Sequence, residues 1–220
     1  MDILVTGECG YTGCVLVPLL QAKETVDTAT GLDTFSTGSP RNLLGACIRS
    51  DSNVEFQRDD VHDYSNVEHA TQGVDTITPL EEVTGVSSTY DRKDERLLVD
   101  SVSDEHLRGT ALRISTNYGY TPGVGFHFPI SQLTYRTATD QPLTERGDGT
   151  NRRPFIHVGD AARAPKQTAC NPDTWSDIMY NIGWDEEKTR VSDTAEIICK
   201  TTSIDIDITC IERMYNEKVN

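Results

Sequence analysis

The residues Thr6-Gly7-Glu8-Cys9-Gly10-Tyr11-Thr12-Gly13 constrain this chain more than any others. They follow the short apolar run Ile3-Leu4-Val5 and lead into Val15-Leu16-Val17 and Leu19-Leu20, apolar positions spaced for a helix packed on a sheet. A Gly-x-x-Gly-x-x-Gly string between strand and helix has a physical reading. Glycines permit a tight turn and let backbone approach a pyrophosphate, which then rests on the unpaired N–H groups at the positive end of the helix. Glycines that only allow close packing of helix on sheet would leave the same string. Asp33 favours the first reading, because it falls twenty residues after Gly13, at the end of a second strand closing near Leu32. A carboxylate there accepts hydrogen bonds from an adenosine ribose. It also disfavours a 2′-phosphate, so the expected cofactor is NAD rather than NADP. Glu8 brings a negative charge to the same turn and is expected to point outward.

Further along, Val54-Glu55-Phe56 reads as a third strand, Tyr64 to Thr71 as a helix and Val74 to Ile77 as a fourth strand. Strands alternating with helices predict an α/β protein with a Rossmann-type doubly wound parallel sheet. Only about a dozen residues separate the fourth strand from the helix-like stretch 91–102, and a parallel crossover takes that many by itself. One strand-helix unit is therefore expected to be lacking. Residues 110–114 form the next expected strand, followed by a Gly/Tyr/Pro loop over 117–125, and Phe155-Ile156-His157-Val158 forms another strand. Asp193 with Glu196 three positions on predicts a helix start of capping-box type. Ile204 to Ile208 alternates with the period of a strand.

Charge excludes some partners. The chain of 220 residues has 35 Asp and Glu against 20 Lys and Arg, a formal net charge of -15, which repels nucleic acid and anionic membrane alike. With 14 Arg, 6 Lys and 21 Asp, the surface fits a protein kept hydrated in concentrated salt, or else an ordinary acidic cytoplasmic protein. The six cysteines contain no C-x-x-C pair and the five histidines fall at unrelated spacings, so free thiols and no metal site are expected. The first residues lack the basic and long apolar regions of a signal peptide, and no run approaches membrane-spanning length, so the expected compartment is the cytoplasm.

Several segments together resemble the NAD-dependent epimerase/dehydratase family, extended short-chain dehydrogenases/reductases that act on nucleotide sugars. Beside the glycine loop, Asp33-Thr34-Phe35-Ser36-Thr37-Gly38 resembles the family's Asp-Asn-Leu-Ser-Thr-Gly, and Asp60-Val61 resembles an acidic-apolar pair that lies against adenine. Leu112 to Gly119 is similar to the strand and loop that carry a substrate-contacting Asn. Residues 147–160, Gly-Asp-Gly-Thr-Asn-Arg-Arg-Pro-Phe-Ile-His-Val-Gly-Asp, resemble the segment whose arginine contacts the nucleotide diphosphate. The resemblance implies cofactor contacts from Gly7, Gly10, Tyr11, Gly13, Asp33, Asp60 and Val61, and nucleotide-sugar contacts from Asn117 and Arg153. It also implies a Rossmann domain over 1–116 and a small, mostly substrate-binding lobe over 117–220, with 153–165 returning to the Rossmann core. A homodimer is compatible with it.

The family's chemistry uses a tyrosine phenolate as base, a lysine four residues later that lowers its pKa, and a Ser or Thr from a preceding strand end. A phenol near pKa 10 is a poor base until an adjacent ammonium favours its anion. Here Tyr90-Asp91-Arg92-Lys93 puts the lysine at three residues, about 100° away in direction on a helix. The resemblance assigns Tyr90 as base, Lys93 as its activator, and Ser88 or Thr89 as the hydroxyl partner. A second alignment makes Val86 to Tyr90 the tail of the serine-bearing strand. Relative to the family, the chain reads as shortened in its middle and at its C-terminus. An epimerase or dehydratase, a silent dinucleotide-binding homologue and a reductase of small carbonyl compounds all remain open.

Overall fold

Ile3, Leu4 and Val5 are each no more than 1% exposed, as expected of a strand paired on both edges and covered on both faces. They lie in β1 (Asp2–Thr6) of a computed structural model that describes residues 1–46, 53–61, 63–80, 111–126, 128–146, 152–174, 179–183, 188–202, 204 and 208–211. The other elements are α1 (Gly13–Gln21), β2 (Thr28–Leu32), β3 (Val54–Gln57), α2 (Tyr64–Ala70), β4 (Thr76–Pro79), β5 (Ala111–Ile114), β6 (Thr116–Tyr118) and α3 (Pro129–Ala138). After them come β7 (Leu143–Arg146), β8 (Arg152–His157), α4 (Val158–Cys170), β9 (Met179–Ile182), β10 (Lys188–Arg190), α5 (Val191–Thr202) and β11 (Ile208–Ile211). A 3-10 helix, Pro40–Ala46, follows β2.

The chain divides into two units. The first comprises Met1–Arg113, Tyr120–Val124 and Val158–Ile182. Its parallel sheet runs β3-β2-β1-β4, with Thr6 opposite Leu32 on one side and Pro79 on the other. Leu4 and Leu32 pack with Val61, Val67 and Ala70 on one face. On the other, Ile3 and Val5 pack with Leu16, Val17 and Leu20 of α1 and with Ala162 and Ala169 of α4. Helices on both faces realise the doubly wound arrangement expected from the sequence. Asp63 caps α2 by accepting the Ser65 N–H at 3.0 Å, and the Ser65 hydroxyl, donating at 2.7 Å, together with that N–H holds its carboxyl below the usual carboxylate range.

Several boundaries differ from the sequence reading. The fourth strand begins at Thr76 rather than Val74, because the Val74 N–H closes a turn onto the Thr71 carbonyl and pairing with β1 starts only at Ile3 opposite Thr76. Residues 117 and 118, expected in a loop, belong to β6 because β8 supplies a remote parallel partner, Thr116 opposite Phe155.

The second unit comprises Ile114–Gly119, Gly125–His157 and Gly183–Asn220. It holds a three-stranded sheet, β10-β8-β6, and a parallel pair, β11-β7. Leu133 of α3, Leu143, and Ala195 and Ile198 of α5 form its core. Helix α5 starts at Val191, two residues before the expected cap, so Asp193 sits in the first turn, where its charge complements the helix dipole. Helix α3 escaped the sequence reading, although Pro129 at its first turn is a start signal. The expected helix over 91–102, the presence or loss of a strand-helix unit before it, and the turn at 147–149 lie outside the described residues. No helix among the described residues is long and apolar enough to cross a membrane.

Leu4 is buried in the sheet against Leu32 and Val67. Leu4→Ala should cost about 2–5 kcal/mol of stability, read as a lower denaturant midpoint with unchanged slope.

Candidate functional site

The glycine turn is built by hydrogen bonds that reach forward to the end of β2. The Gly7 N–H donates to the Leu32 carbonyl at 2.9 Å, and the Gly10 N–H to the Gly7 carbonyl at 3.1 Å. Gly7 has φ of 68°, a left-handed conformation that costs a glycine nothing. Gly13 must be small for another reason. A Cβ there would fall 2.5 Å from the Glu8 Cα and carbonyl oxygen, backbone atoms that cannot swing aside. Thr12 makes no side-chain capping bond to α1, and the first turn of α1 has no acidic residue, so the helix presents its positive end to an incoming anion.

Asp33 ties this turn to the next loop. Its Oδ2 accepts the Cys9 N–H at 3.2 Å and its Oδ1 accepts the Phe35 N–H at 2.7 Å. The carboxylate is only 6% exposed, and two backbone donors compensate its burial. Phe35 itself sits at φ 59°, the left-handed region, held there by that bond. Asn42, carried by the 3-10 helix, donates from Nδ2 to the Cys9 carbonyl at 2.7 Å. The contributions of Phe35 and Asn42 were not readable from the sequence, since each depends on a loop folding back over residues distant in the chain.

Glu8 overturns an expectation. Its side chain is not outward but fully buried, against Gly31 of β2. The physical reason is room: a Cβ on residue 31 would lie 2.5 Å from Glu8 Cγ and Cδ, so the glycine in β2 vacates the space the glutamate fills. The Cys9 thiol donates to Glu8 Oε1 at 3.5 Å. Glu8, Cys9 and Asp33 offer ligand atoms within 4.8 Å of one another. Both Asp33 oxygens already accept backbone N–H groups, so the cluster reads as a brace under the turn. Burial, then the charges of Glu8 and Asp33, pushes the Cys9 thiol well above the ordinary thiol range.

The structure therefore gathers Gly7, Gly10, Tyr11, Gly13 and Asp33 at one place. Asp60 and Val61 follow β3: Asp60 is exposed, while Val61 is buried with Leu4 and Leu32 as part of the core. In the second unit, Asn117 is opposite Ile156 and Arg153 opposite Thr189. Strand alternation sends Asn117 and Arg153 to opposite faces of their sheet. Arg152 shares Asn117's face, with Arg190 directly across on β10. The expected catalytic group, Tyr90, Lys93, Ser88 and Thr89, lies outside the described residues.

The model of the NAD dependent epimerase/dehydratase family matches residues 94–183. That match covers less than half of the chain. Solved structures of such proteins share the fold. UDP-glucose 4-epimerase from Thermus thermophilus, in complex with NAD, aligns with TM-score 0.76 and 16% identity over 99% of this chain and 88% of that one. The dTDP-glucose 4,6-dehydratase DesIV from Streptomyces venezuelae, with NAD and TYD bound, aligns with TM-score 0.80 and 16% identity over 100% and 87%. UDP-glucuronic acid 4-epimerase from Bacillus cereus, in complex with UDP-glucuronic acid and NAD, aligns with TM-score 0.76 and 19% identity over 96% and 86%. No curated protein matches this sequence. The chain thus spans most, though not all, of the length of these epimerase and dehydratase structures.

Two predictions test the turn. Gly13→Ala should destabilise the protein by about 1–3 kcal/mol, because backbone must move, and calorimetric unfolding measures it. An unfolded thiol ionises near pH 8.5, whereas folded Cys9 keeps its proton beyond that. The folded state then binds the extra proton, so the Cys9 contribution to stability is whole below about pH 8.5 and declines as pH rises further. Replacing Cys9 by Ala should flatten that alkaline decline in denaturant midpoints, and alkylation of Cys9 should require unfolding.

Proposed function

We propose that the chain binds NAD and a nucleotide sugar and acts as an epimerase or dehydratase by transient oxidation of a sugar hydroxyl. The observation that carries this reading is the glycine turn at the uncapped start of α1, fixed to a carboxylate at the end of β2. The residues fit the cofactor. Gly7 adopts the turn a pyrophosphate requires, and Asp33 keeps acceptor capacity beyond its two N–H bonds, since a carboxylate has about four lone-pair positions. NAD, when bound, supplies the acceptor for the hydride that leaves the sugar carbon.

The chain's own groups have the remaining tasks. Turn N–H groups and the α1 dipole offset the diphosphate charge in a protein of net charge -15. Asp33 holds the adenosine ribose, and Asp60 with Val61 borders the adenine side. Tyr90 takes the proton from the sugar hydroxyl, Lys93 favours the phenolate, and Ser88 or Thr89 holds the reacting oxygen; the resemblance supports these roles. Arg153 pairs phosphate oxygens of the nucleotide through its planar fork; Asn117, on the opposite face of that sheet, has its sugar contact from the resemblance alone. The first unit thereby serves the cofactor and most of the second serves the substrate. One feature favours a second reading, a dinucleotide binder without turnover: Lys93 stands three residues after Tyr90, not four.

Calorimetry of the full chain at high salt should show NAD binding, and Asp33→Ala should weaken it at least about tenfold. With NAD bound, a nucleotide sugar should generate NADH absorbance or product, and Tyr90→Phe should lower turnover about tenfold or more. Arg153→Ala should raise the nucleotide-sugar KM about tenfold, and Arg152→Ala less. Absence of any dinucleotide binding overturns the proposal; binding without turnover, indifferent to Tyr90→Phe, establishes the second reading instead.

A further inference from the structure

Glu8 is fully buried in the glycine turn, and the function proposed above gives it no task. Its backbone lies against the first residue of α1, since a Cβ on Gly13 would fall 2.5 Å from the Glu8 Cα. Its carboxyl fills the space beside Gly31 of β2. The titratable groups facing it are Cys9 in the turn and Asp33 after β2. From α1 the neighbour is Gly13, followed by Cys14, and from β2 it is Gly31, which carries no charge. Ligand atoms of Glu8, Cys9 and Asp33 lie within 4.8 Å of one another, and all three residues are buried. The turn proposed to carry a diphosphate therefore has two carboxyl groups packed into it, away from water.

We propose that Glu8 makes cofactor binding proton-linked: the dinucleotide is bound together with a proton on the Glu8 carboxyl, so affinity falls as pH rises. This rests on the dinucleotide reading above and concerns its control. Two negative charges so close and so buried repel each other, and a diphosphate settling on the turn adds to the repulsion. One proton relieves both effects. Glu8 is the group that takes it, because Asp33 devotes each oxygen to a backbone N–H, at 3.2 and 2.7 Å, donors that suit an anion. Glu8 Oε1 accepts from the Cys9 thiol, a weak donor, at 3.5 Å. Since the complex holds the extra proton, binding is strongest at low pH and weakens through the range in which the free protein gives that proton up. The Cys9 thiol does not compete, because it keeps its proton well beyond the ordinary thiol range.

The test is calorimetric titration of the full chain with NAD between about pH 5.5 and about pH 7.5, at fixed ionic strength and in buffers of different ionisation enthalpy. It compares the unmodified protein with Glu8→Gln, which keeps the shape of the side chain. In the unmodified protein NAD should weaken at least about fivefold across that range and take up protons on binding. Glu8→Gln should lose most of both effects while still binding NAD. Equal pH dependence in the two proteins, pH-independent binding by the unmodified one, or loss of NAD binding by a folded Glu8→Gln overturns the assignment of Glu8. If Glu8→Gln does not fold, infrared difference spectra of the unmodified protein decide. Adding NAD should convert a carboxylate band into a carboxylic-acid C=O band, and absence of that band overturns the assignment. Each of these outcomes leaves the dinucleotide reading standing, whereas failure of NAD to bind at any pH overturns both.

Discussion

The Asp33 carboxylate is the joint on which the candidate site depends. Parallel strands end in separate loops, and nothing in sheet pairing fixes those loops to each other. Asp33 does so by accepting one N–H from Cys9, in the turn after β1, and one from Phe35, in the loop after β2. A carboxylate at 6% exposure is costly unless paired, and removing either donor would leave that cost uncompensated. The position of Cys9 in the glycine turn and the left-handed Phe35 are both tied to this one group.

A net charge of -15 sets the terms for any anionic ligand. The global field opposes a dinucleotide and a nucleotide sugar as surely as it opposes nucleic acid, so local donors must prevail over it. Helix α1 begins without an acid or a side-chain cap, and the second unit sets Arg152 across from Arg190. Like charges directly opposite on neighbouring strands are unfavourable by themselves. Salt screens the long-range repulsion within about 10 Å while leaving short hydrogen bonds intact. Ionic strength therefore shifts the balance toward binding at such sites, contrary to its effect on a basic protein that binds polyanions.

What the sequence disclosed was whatever depends on local period and turn chemistry. Ile3-Leu4-Val5 ending at Gly7, the helix after Gly13 and the strand ending at Leu32 are all signalled within a few residues of themselves, and β1, α1 and β2 match that reading. β6 and the two-residue displacement of β4 depend on register with β8 and β1, strands remote in sequence, and no local pattern encodes a partner. The turn residues Gly7, Gly10 and Gly13 and the carboxylate of Asp33 that braces them were legible for the same local reason. Asn42 was not, because it acts through a loop that returns to the turn only in three dimensions.

Glu8 shows how a local rule can mislead. A charged residue between two glycines of a surface turn should face water, by every preference of side chains for solvent. It is buried because Gly31, on the adjacent strand, has no side chain to exclude it. The two positions therefore act as a complementary pair: a large residue in the turn, a void in the sheet. Changing either one alone leaves a cavity or a clash, whereas exchanging bulk between them preserves volume. Stability at residues 8 and 31 is accordingly not additive. The glycine at 31 has no part in turn chemistry; it sets how deep the loop above it can sit, and through Cys9 and Asp33 it reaches the site.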